Sequence, residues 1–73
     1  MMDVNDYAST VRGIAIFALD SWKRESDRVA RDDADEMIRC GRMQALACVL
    51  KLITGRSPSM DLSIVEDVVY GIR

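Results

Sequence analysis

The sequence predicts an all-α, three-helix protein: two long helices forming an antiparallel hairpin plus a shorter C-terminal helix, completed by homo-oligomerisation. Three observations carry that expectation. Apolar residues recur at intervals of three and four through three successive segments, the spacing that lines one side of a helix. Helix breakers are few, with 4 Gly and 1 Pro in 73 residues, and Gly55 and Pro58 fall together between two such segments. The two long segments also hold more apolar side chains than one stripe can use, which calls for a neighbouring molecule.

The first helix is expected from about Asp3 to about Arg31. Val4, Tyr7, Ala8, Val11, Ile14, Ala15, Ala18, Trp22 and Val29 fall on one stripe, and Asp3 stands where a carboxylate can cap the free N–H groups. Gly13 is its one interior flaw. The charge run from Lys23 to Asp33 reads as a solvated helical face, because Lys23–Asp27, Asp27–Arg31, Arg28–Asp32 and Arg31–Asp35 are opposite charges four apart. A loop or a charged docking patch is the competing reading of this run.

The second helix is expected to start at Asp32 or Asp33 and to end at Thr54. Asp33 and Glu36 have capping-box spacing, and Gly55 suits the left-handed residue that closes a helix. Ala34, Met37, Ile38, Gly41, Ala45, Cys48, Val49 and Leu52 form the expected core stripe. Its small members would let another helix backbone approach closely. The third helix is expected from Pro58 or Asp61 to Ile72, opened by Ser57 and Pro58. Leu62, Val65, Val68, Val69 and Ile72 share a side, opposite Ser63, Glu66, Asp67 and Tyr70. The β-branched content allows a strand as the alternative, but Glu66 breaks the strand alternation.

Size then sets a physical problem. A chain this short forms a single helical domain, spanning residues 1–73, and buries only about 60% of the surface its unfolded state exposes. Small chains compensate with disulfides, a metal or self-association. Cys40 and Cys48 on one helix would lie roughly 12 Å apart along its axis, too far for a disulfide. Two thiols with no His do not complete a zinc site. They read as reduced, buried, inert thiols, with a thiolate favoured by Arg39 and Arg42 as the functional alternative for Cys40. Self-association remains, and Ile16, Phe17, Leu46, Leu50 and Ile53, which point away from the two main stripes, are its candidate interface.

Function is bounded mainly by exclusion. With 10 Lys+Arg against 12 Asp+Glu, the chain carries a net charge of −2, unsuited to displacing counterions from nucleic acid. The absence of His removes the usual general base and every Ser-His or Cys-His pair. Asp32, Asp33, Asp35 and Glu36 lack the glycine and ligand spacing of a calcium loop, and residues 55–59 lack the Gly-Lys-Ser/Thr core of a phosphate loop. No enzyme, cofactor or metal is expected. The acidic start is unlike a signal peptide, and the longest apolar run, Ile14 to Leu19, is far too short to span a membrane, so a soluble cytoplasmic chain is expected.

The functional expectation is a protein–protein interaction module, acting as a small adaptor or an occluding inhibitor. Its partners would be itself and a second protein, met through Trp22, Glu66, Asp67 and Tyr70. In size and composition the chain is comparable with small phage-encoded inhibitors of host defence, with no motif behind the comparison. The alternative is a nucleic-acid-binding regulator of helix-turn-helix type, in which the third helix would read a groove. Glu66 and Asp67 on that helix oppose phosphate.

Overall fold

The computed structural model describes residues 4–71, with side chains from Ser9 to Gly71. It holds three helices: α1 (Val4–Asp27), α2 (Asp33–Thr54) and α3 (Leu62–Tyr70). No strand occurs among the described residues, so residues 62–70 take the helical alternative. The expected cap Asp3 and the terminal Ile72 and Arg73 lie outside the described residues. So do the side chains of Val4, Tyr7 and Ala8.

α1 stops at Asp27, four residues before the expected end, for a specific reason. The guanidinium of Arg39, on α2, donates to the carbonyls of Glu25 (2.8 Å) and Ser26 (3.0 Å). Those carbonyls would otherwise accept from the next helical turn. The chain then crosses to α2 under the control of two carboxylates. Asp35 accepts the Arg31 N–H at 3.0 Å, and Asp32 accepts the Asp35 N–H at 2.8 Å. Asp32, in an extended conformation, is therefore the N-cap, one residue before the expected capping box. Asp33, Asp35 and Glu36 follow in the first turn, where negative charge suits the helix dipole.

Gly55 closes α2 as expected, with φ of 79° and its N–H bonded to Lys51 O at 2.8 Å. Ser57 and Pro58 open a single turn rather than α3 itself. The Asp61 N–H reaches Ser57 O at 2.9 Å, and Pro58 is buried beneath that turn. α3 begins after Asp61, whose carboxylate makes no capping bond to it.

The core consists of Ala15, Ala18, Leu19 and Trp22 from α1, Leu50 from α2, and Val65 and Val69 from α3. Ile16, Met43, Leu46, Ala47, Val49, Ile53 and Leu62 pack around it, half-buried. Most of the packing is between α1 and α2. This corrects the expected orientation of α2. Leu46, Leu50 and Ile53, expected to point away from the main stripe, join Met43 and Ala47 in its contribution to the core. Of the expected core stripe, Ala34, Met37, Ile38, Gly41, Ala45, Cys48 and Leu52 are exposed, and Val49 alone packs against the core. Side-chain volume decides between the two sides. Leu and Ile fill an interior at native density, whereas Gly, Ala and Cys at the same positions would leave voids.

Polar contacts fasten α3 to α1. The Tyr70 hydroxyl donates to Asp20, Lys23 pairs with Glu66 at 2.9 Å, and the Lys23 ammonium lies 5.0 Å from the Tyr70 ring centroid. The Cα atoms span 45 × 28 × 16 Å. At helix spacings of about 8–10 Å, the thin dimension admits only about two helix layers, so no helix is enclosed on all sides.

Candidate protein-binding surface

The outward side of α2 is the first candidate. Leu52 is 87% exposed, Met37 77% and Ile38 52%, and between them lie the exposed Gly41, Ala45 and Cys48. A surface helix ordinarily turns polar residues to solvent. On α2 the polar residues are displaced to the flanks, as Arg42 on one side and Gln44 and Lys51 on the other. Gly41 is notable within this strip. A Cβ built there meets nothing within 4 Å, and its φ is not positive. Nothing among the described residues requires a glycine there, yet it costs about 1 kcal/mol relative to Ala in a helix interior.

The second candidate is an open groove of about 540 Å³ between α1 and α2. Phe17, Ala45 and Leu46 form its apolar part, and Phe17 is 65% exposed. Ser21, Arg24, Glu25, Arg28 and Arg42 form the polar part. Arg28 donates to Glu25 at 2.9 Å and to Asp35 at 2.7 Å, and Arg42 reaches the other Glu25 oxygen at 3.1 Å. These guanidinium groups hold both carboxyls below their usual range: Glu25 through Arg28 and then Arg42, Asp35 through Arg28 and then the Arg31 N–H. The same pairing raises Arg28 further. Arg28 Nη2 is buried without an acceptor among the described residues. Arg24 donates to Ser21 Oγ at 3.2 Å and has no carboxylate partner among them. The groove therefore joins an apolar floor to cationic groups, on a chain whose net charge is −2.

The residues expected to bind partners are distributed otherwise. Of the expected oligomer interface, Leu50 is wholly enclosed by its own chain, and Ile16, Leu46 and Ile53 pack half-buried against the core; Phe17 alone stands clear. Trp22, expected as a partner anchor, is a core residue, because its ring supplies volume that the small Ala15 and Ala18 do not. Glu66 and Tyr70 are engaged with α1 through Lys23 and Asp20, and only Asp67 of that set is exposed with no α1 contact described for it. Not legible from the sequence is the meeting of Arg28, Arg39 and Arg42 at Glu25, with Arg24 beside them in the groove. The signal for it is the recurrence of Arg at 39 and 42 opposite Glu25 once the helices are paired.

Both cysteines are free and exposed, which corrects the expected burial. Cys40 donates toward Glu36 at 3.4 Å, and that carboxylate, with some desolvation, raises its pKa. A thiol so placed is a poorer nucleophile than the Arg39–Arg42 context suggested. No group of three or more Cys, Asp or Glu among the described residues is arranged to hold a metal ion. No helix among them is long and apolar enough to cross a membrane. Comparison with protein-family models, curated proteins and solved structures finds no match for this chain.

Proposed function

We propose that this chain is a non-enzymatic protein-interaction module of the cytoplasm, a small adaptor or occluding inhibitor that works as a self-associated helical hairpin. The observation that carries this reading is the apolar outward side of α2, exposed from Ala34 to Leu52. Water is a poor environment for such a strip. Each large side chain on it forgoes roughly 1.5–3 kcal/mol of burial, against a total stability of about 5–15 kcal/mol for a domain.

The pairing of side chains supports an antiparallel hairpin. Phe17 and Ser21 share the groove with Ala45 and Leu46, whereas Glu25, further along α1, meets Arg42 and Arg39, earlier on α2. The groove beside the hairpin suits a second protein that offers an apolar side chain next to a carboxylate, which Phe17 and Leu46 would receive at one end and Arg24 and Arg42 at the other. The helix-turn-helix alternative gains nothing from α3, whose Glu66 and Asp67 carry the wrong sign for phosphate.

Light scattering of the purified chain across a dilution series tests the reading. A mass above that of one chain at high concentration, falling on dilution, is the expected result. A single-chain mass at every concentration, with cooperative unfolding, would remove the basis for self-association.

A further inference from the structure

We propose that the outward side of α2 packs antiparallel against the same side of a second copy, around a twofold axis near the level of residue 43. This rests on the self-association reading above and names its interface. The exposed residues Ala34, Ile38, Gly41, Ala45, Cys48 and Leu52 are spaced 4, 3, 4, 3 and 4 apart. They are two interleaved seven-residue series, Ala34–Gly41–Cys48 and Ile38–Ala45–Leu52. A 3.5-residue repeat of this kind keeps one seam in line with a partner helix along its whole length. In the antiparallel register the small series of one copy meets the other series of its mate: Ala34 against Leu52, Gly41 against Ala45, Cys48 against Ile38. The interface is isologous, so it closes at two copies.

Two further observations select the occupant and its direction. Gly41 sits in open space inside a helix that gains nothing from it, and the close approach of another helix backbone is the circumstance that uses a missing side chain. The two ends of α2 also differ in charge. Asp32 and Asp33 are exposed at its start and Lys51 at its end, whereas Glu36 and Arg56 are paired within the chain with Arg39 and Asp61. Antiparallel copies set acidic start against basic end and oppose the helix dipoles, whereas parallel copies set like against like.

Thiol cross-linking and a charge insertion test this together. In a Cys40→Ser background, Ile38→Cys should form a covalent dimer with the native Cys48 of the second copy on mild oxidation. Cys48 alone should not, since antiparallel packing holds the two Cys48 positions roughly 15 Å apart along the seam. Within one chain, positions 38 and 48 are likewise too far apart to bridge. Gly41→Glu should leave helix content unchanged, because its side chain enters open space, and should weaken association by roughly tenfold or more, because it buries like charges across the axis. Dimers linked through Cys48 alone would overturn the antiparallel register. An oligomer that forms normally with Gly41→Glu and fails to cross-link through position 38 would overturn the interface while leaving self-association standing. A wild-type chain that is single at every concentration would overturn both.

Discussion

Arg39 shows how much one side chain settles in a small protein. It donates to the carbonyls of Glu25 and Ser26, and it pairs with Glu36 on its own helix at 2.9 Å. One planar group thereby ends α1 and fixes where α2 lies. Arg39→Ala should destabilise the chain by about 1–3 kcal/mol, read from urea unfolding, because it strands charge-assisted acceptors. Arg39→Lys should recover only part of that, since an ammonium has no fork to span two carbonyls. Tyr70 is the matching fastener at the other end. Burial, followed by the hydrogen bond to Asp20, pushes its hydroxyl up to about 12 from a usual value of 10.0. The folded state thus holds the Tyr70 proton more tightly than the unfolded state does. Its stabilising contribution is complete below pH 10 and should fade as pH rises from there toward 12. Urea midpoints of wild type and Tyr70→Phe across that alkaline range check the sign: the wild type should lose stability faster. Parallel losses would place the Tyr70 hydroxyl outside the clasp.

Among the elements, α2 carries apolar residues both toward the core and outward, and this is where the sequence is least legible. The ends of α2 are readable from local chemistry, with Gly55 closing it where expected and the Asp32 cap one residue from the expected one, whereas α1 ends four residues early because Arg39 comes from another helix. Periodicity alone could not orient α2, because Met43, Leu46, Leu50 and Ile53 and the Gly41 strip repeat with the same period. Volume distinguishes them, and volume acts only once the facing elements are known. The expected stripe of α1 includes Trp22, whose place is in the core and not at a partner, and leaves out the wholly buried Leu19. The cationic groove is not legible because its members come from two helices and the crossing between them, where Arg28 bonds to Glu25 on α1 and to Asp35 on α2. A pair of neighbouring leucines tests the orientation. Leu50→Ala should cost about 2–5 kcal/mol in dilute solution, the usual range for emptying a packed site. Leu52→Ala, two residues on and 87% exposed, should leave the dilute chain's urea midpoint nearly unchanged and weaken only its association. Equal losses in the two variants would mean that α2 is turned otherwise.

At the scale of the whole molecule, the chain encloses few large side chains and leaves many outside. Among the described residues the largest fully buried side chains are Leu19, Leu50, Val65 and Pro58, while Phe17, Met37, Ile38, Leu52 and Met60 are each more than half exposed. A private core of that size gives a thin margin, and association adds to stability by mass action when the folded form alone self-associates. The midpoint of thermal unfolding, followed by circular dichroism over a wide range of protein concentration, measures this directly. The midpoint should climb steadily with wild-type concentration and stay level for Gly41→Glu. A wild-type midpoint indifferent to concentration would contradict the claim that a second copy covers the outward side of α2.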